Sequence, residues 1–107
     1  MPIIRIEFDD NKIDNNAIEQ LSKAVQTIVS QITGIADVFV YGNSSQIKIN
    51  IAPIEIFVEM SAHKIDNIDT LFESIKSQLS ERKQSNSFSL PINLTIIPMH
   101  WKFDTGI

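Results

Sequence analysis

Residues 3 to 8 alternate, with Ile4, Ile6 and Phe8 on one side and Ile3, Arg5 and Glu7 on the other. A period of two predicts a strand with one buried face. After the polar residues 9–16, Ile18, Leu21, Val25, Ile28 and Ile32 recur at helical spacing. Asn16 followed by Glu19 has the form of a capping box at the start of that helix, and Gly34 is placed to stop it. Two strand-like runs follow, 38–41 and 47–51, and Gly42-Asn43-Ser44-Ser45 between them suits a turn. From Pro53 the alternation restarts: Ile54, Ile56, Val58 and Met60 face away from Glu55, Phe57 and Glu59. Asp66 or Asn67 then caps a second helix carrying Ile68, Leu71, Phe72, Ile75 and Leu79. Residues 80–89 read as a helix end and polar loop. Ile92, Leu94 and Ile96 alternate with Asn93, Thr95 and Ile97, which predicts a last strand ended by Pro98. The tail 99–107 carries His100, Trp101 and Phe103, aromatic enough to predict docking rather than free solvation.

The order of elements repeats. Pro2-Ile3-x-x-Ile6 and Lys12-Ile13-Asp14-Asn15 have counterparts in Pro53-Ile54-x-Ile56 and Lys64-Ile65-Asp66-Asn67. Ile18, Leu21, Val25 and Val29 match Ile68, Leu71, Ile75 and Leu79 at a constant offset. The pattern predicts an α+β fold made of a duplicated β-α-β, with repeats at about 2–51 and 53–98 inside one domain spanning 1–107. Right-handed crossovers then put both helices on one face of a four-stranded mixed sheet. The other face is left bare, and Arg5, Glu7, Lys48, Glu55, Phe57, Glu59, Asn93 and Thr95 are assigned to it. Such a mixed surface suits contact with further copies of the chain around an axis. The competing reading is a monomeric ferredoxin-like domain whose charged sheet face stands in water.

Composition narrows the chemistry. At 107 residues the core is modest, so a subunit contact would add usefully to stability. Nine basic against thirteen acidic residues, with no run of three cations, leave no stripe to track phosphates. Nucleic acid and anionic membrane are therefore not expected partners. The absence of cysteine excludes disulfides, cysteine-ligated zinc and thiol catalysis. Arg5 and Glu7 come too early for the apolar core of a secretory signal, and no run approaches a membrane span, so a cytoplasmic protein is expected. His63 and His100 lie apart without carboxylates at ligand spacing, and three isolated glycines make no phosphate loop. Neither a metal nor a cofactor is expected.

A proline directly after Met1, opening the strand MPIIRI, with a β-α-β pattern restarting at Pro53, resembles the tautomerase superfamily. That group includes 4-oxalocrotonate tautomerase and macrophage migration inhibitory factor. The segments APIEIFVEMSAHKI and INLTIIPMHW look closest to its small bacterial members with the longer, two-repeat chain. The likeness covers nearly the whole sequence, and its specificity lies in the order and spacing of strands around Pro2. It implies a homotrimer of β-α-β-β-α-β subunits around a central channel, with the terminal proline in a pocket near a subunit boundary. It also implies a small-molecule substrate of keto-enol type, on which the proline amine moves a proton. Lys12 falls where oxalocrotonate-type members carry a substrate-binding arginine, although lysine offers a point charge instead of a bidentate fork. Arg5 is the second candidate cation. Ala62 matches the position whose backbone amide helps to bind substrate in the cytokine-like branch. Two departures stand out: Ile35 where those members have a lysine after the first helix, and Asn93 with Thr95 near their aromatic-plus-asparagine pair. The polar set is incomplete, so a non-catalytic binding or scaffold protein of the same fold is the alternative.

The proposed chemistry has a physical basis. A free α-amine titrates at roughly 7.7 to 8, and an apolar pocket disfavours its charged form. A base whose pKa lies near the working pH both accepts and returns a proton. The proline ring fixes the direction of the lone pair. An enolate oxygen and a substrate carboxylate each need a donor or a cation. All of this requires loss of Met1, because a proline nitrogen held in an amide has no basic lone pair. Trp101 and Phe103 either wall a neighbouring subunit's pocket or seal a hydrophobic edge.

Overall fold

The computed structural model describes residues 1–86, 88–102 and 104–107, so Phe103 lies outside the described residues. The elements run β1 (Ile3–Phe8), α1 (Asn15–Thr33), β2 (Phe39–Ser44), β3 (Ile54–Ser61), a short 3-10 turn (Ala62–Lys64), α2 (Ile68–Ser85) and β4 (Asn93–Met99). The sheet order is β2-β1-β3-β4. β1 pairs parallel with β2 and antiparallel with β3, and β3 pairs parallel with β4. Each half is therefore a β-α-β unit, and the two units meet at the antiparallel β1–β3 seam.

The alternation of β1 and β3 works as the sequence predicts. Ile4, Ile6, Phe8, Ile54, Ile56 and Val58 are buried in one core with Ile18, Val25, Ile28 and Val29 of α1 and Ile75 and Leu79 of α2. Both helices thus cover the same face of the sheet. The other face holds three cross-strand rows: Phe39-Ile3-Glu59-Ile97, Tyr41-Arg5-Phe57-Thr95 and Asn43-Glu7-Glu55-Asn93. Among the described residues neither helix is layered over those rows. Phe39 and Tyr41 of β2 belong to this face and were not foreseen.

Several boundaries differ from expectation. The cap of α1 is Asp14, whose carboxylate accepts the Ala17 N–H at 2.8 Å, and Asn16 lies inside the first turn. An ionised carboxylate also meets the positive end of the helix dipole, which an asparagine does not. In the second half Asn67 plays the same part, accepting from the Thr70 N–H at 3.1 Å. Gly34 ends α1 in the left-handed region at φ 71°, its N–H donating to the Ser30 carbonyl at 2.9 Å.

The segment 42–44 continues β2 rather than turning. Gly42 sits opposite Ile6, and a Cβ there would lie 3.2 Å from Ile18 Cγ2. The glycine therefore lets α1 approach the sheet closely. Residues 47–51 alternate but form no strand. They carry the chain from the end of β2 past the end of β1 to β3, and both neighbours of β1 are already taken. Lys48 belongs to this crossing loop and not to the bare sheet face: its Nζ lies 2.9 Å from Asp10 Oδ1. The Asp9 N–H donates to the Pro53 carbonyl at 3.0 Å at the same end. Pro98 lies inside β4, opposite Met60, which an edge strand tolerates. Among the described residues no helix is long and apolar enough to cross a membrane.

Candidate functional site

Pro2 enters the sheet at the head of a central strand. Its side chain is fully buried, and its carbonyl accepts the Phe39 N–H at 3.1 Å. That bond brings the residues leading into β2, Asp37 and Val38, alongside it. Val38 is buried, whereas Asp37 is exposed. Extending the antiparallel register beyond Ile3↔Glu59 sets Pro2 opposite Met60 and Met1 opposite Ser61. Met60 is also buried, so the proline ring has apolar neighbours. Met1 itself is half-buried.

Ala62 follows directly from Ser61 and so lies at this same end of the sheet. Ser61 is buried, and its hydroxyl lies 2.7 Å from His63 Nδ1. This end therefore gathers Pro2, Ala62, Asp37 and the Ser61–His63 pair. Asp37 and the serine–histidine pair were not legible as neighbours of Pro2. Their proximity comes from β1–β2 and β1–β3 pairing.

Arg5 stands one row further along the bare face. Its Nε lies 2.6 Å from Glu59 Oε1, its Nη1 lies 3.8 Å from Glu7 Oε1, and its guanidinium sits 4.9 Å above the Phe57 ring centroid. An anion approaching Arg5 meets two carboxylates that already hold it. Asn93 lies further still, opposite Glu55 in the Glu7 row.

Lys12 is at the opposite end. It follows β1 in a loop organised by Asp9, whose carbonyl accepts the Lys12 and Ile13 N–H groups at 3.0 and 3.2 Å and whose carboxylate accepts from Asn11. Six strand residues at about 3.3 Å each put roughly 20 Å between Pro2 and this loop. Lys12 is exposed, and its ammonium has no ion pair among the described residues. Within one chain Pro2 and Ala62 are brought together, Arg5 stands between, and Lys12 and Asn93 are kept apart from Pro2.

No family model matches this sequence, and no curated protein matches it either. Solved structures do. A protein with a domain of unknown function from Sebaldella termitidis aligns over 100% of this chain and 98% of its own, at 13% identity and a TM-score of 0.71. Malonate semialdehyde decarboxylase aligns over 98% of this chain and 92% of its own, at 10% identity and TM-score 0.71. A macrophage migration inhibitory factor-like protein from Entamoeba histolytica covers 96% of this chain and 93% of its own, at 14% identity and TM-score 0.62. At these identities the likeness is one of fold. With two β-α-β units joined through β1 and β3, and both helices on one side of a four-stranded mixed sheet, the chain has the fold of the tautomerase superfamily.

Proposed function

We propose that this chain, once Met1 is removed, is an acid–base isomerase of tautomerase type. The Pro2 nitrogen is the general base, and the substrate is a small 2-oxo or enol acid. The observation that supports this most is the burial of Pro2 at the head of a central strand, beside Val38 and opposite Met60. An amine in such surroundings is neutral at a lower pH than in water. It takes a proton from the enol oxygen and returns one to carbon, so the substrate gains and loses no atoms overall. The backbone amide of Ala62 is the proposed donor to the substrate at this end.

The working unit is a homotrimer in the cytoplasm. Exposed Phe39, Tyr41, Ile47 and Ile49 supply apolar contact area on and beside the bare face. Burying such groups between copies is favourable and adds to a small core. In that assembly polar groups reach Pro2 from another copy: the Lys12 ammonium and the Asn93 amide, remote from their own Pro2, serve a neighbour's site. Arg5 lies nearer but is held by Glu59 and Glu7.

The test is conversion of an aryl enol acid to its ketone, followed by ultraviolet absorbance. Protein shown by intact mass to lack Met1 should be about 100-fold or more faster than Pro2→Ala. Protein retaining Met1 should match Pro2→Ala. Equal rates in all three would remove the catalytic reading. A non-catalytic scaffold would remain, a reading favoured by the engagement of Arg5 with Glu59 and Glu7.

A further inference from the structure

The helix side of the molecule carries a separate groove of about 530 Å³ between α1 and the end of α2. Its apolar lining includes Leu21, Ala24, Leu79 and Phe88, and its charged lining is Lys23, Arg82 and Lys83. No carboxylate lines it, in a chain whose net charge is -4. Lys23 is paired weakly with Glu19 at 3.5 Å, both side chains being exposed. Arg82 and Lys83 have no ion pair among the described residues.

Cations in the last turn of a helix commonly offset its dipole. Here, however, the carbonyls of those two residues are already satisfied by backbone donors. The Asn86 N–H donates to the Arg82 carbonyl at 3.1 Å and the Phe88 N–H to the Lys83 carbonyl at 2.9 Å. The two cationic heads, with no ion pair among the described residues, stay available to an anion. A lining that combines apolar side chains with two cations lacking an ion pair among the described residues matches a molecule with an anionic head and an apolar body. The volume is that of an ordinary small-molecule site.

We propose that this groove is a second binding site, for a free medium-chain or aryl-alkyl monocarboxylate. The carboxylate meets Arg82 and Lys83, and the hydrocarbon lies on Leu21, Leu79 and Phe88. The site is on the helix side, away from Pro2, and does not depend on the catalytic reading.

Decanoate is the probe, titrated into the full chain and followed by amide NMR shifts. Saturable shifts should cluster at residues 16–24 and 79–88. The Arg82→Gln/Lys83→Gln double variant should bind about tenfold more weakly or worse, as loss of charge-assisted hydrogen bonds implies. Ala24→Leu, which narrows the groove from α1, should also weaken binding and guards against misfolding of the double variant. Decyltrimethylammonium, with the same chain and the opposite charge, should not bind there. Equal affinity of the cation, unchanged affinity in both variants, or shifts confined to the bare sheet face would each overturn the proposal.

Discussion

On the bare face Arg5 is held between Glu59 at 2.6 Å and the face of Phe57. It remains 40% exposed and Glu59 18%, so solvent screens the pair. A double-mutant cycle of Arg5→Ala and Glu59→Ala should give a coupling of about 1 kcal/mol in chemical denaturation, the upper end for such pairs. A coupling near zero would mean that the two are not held together in solution. Truncating Ile56 in the core should cost more, about 2–5 kcal/mol, so the pair orders the face without dominating stability. At the far end of β1, Lys48 holds the Asp10 carboxyl below its ordinary 3.8, chiefly through their hydrogen bond. A lowered carboxyl stabilises the fold when ionised. That contribution is present above 3.8 and is lost as pH falls through the folded value. In Lys48→Met the Asp10 midpoint, read by carboxyl carbon NMR, should rise toward 3.8, and an unchanged midpoint would contradict the pairing.

At the scale of elements, the cap of α1 separates two readings of one stretch of sequence. Asp14→Ala should cost about 1 kcal/mol in thermal or denaturant unfolding. Asn16→Ala, inside the first turn, should stay within about 0.5 kcal/mol. The reverse order would restore Asn16 as the cap. Both helices, β1 and β3 were legible in the sequence because each has one wet and one dry face, and burial alone then decides the period. β2 was only half legible, since Gly42 reads as a turn until Ile18 is known to pack against it. Residues 47–51 alternate like a strand, but no free edge of β1 remains to pair with them, a condition set by the topology. The candidate site was legible in part for the same reason. Pro2 and Ala62 are 60 residues apart yet share one end of the sheet, whereas Lys12, ten residues from Pro2, is at the other. Strand register decides such distances, and spacing along the chain does not.

For the whole molecule, the bare face and the separation of Lys12 from Pro2 belong to one question. If copies assemble on that face, light scattering should report about three times the 12.1 kDa chain mass, and Tyr41→Glu should lower it. A single-chain mass at all concentrations would remove both the trimer and the route by which Lys12 reaches a proline. The most direct measurement concerns the base itself: a nitrogen-15 NMR titration of Pro2 in protein from which Met1 has been cleaved. The midpoint should lie below the roughly 7.7 of an ordinary terminal amine, matched by the pH at which the conversion rate rises. A midpoint at or above that value, with no rate change through it, would contradict a sheltered proline acting as the proton carrier.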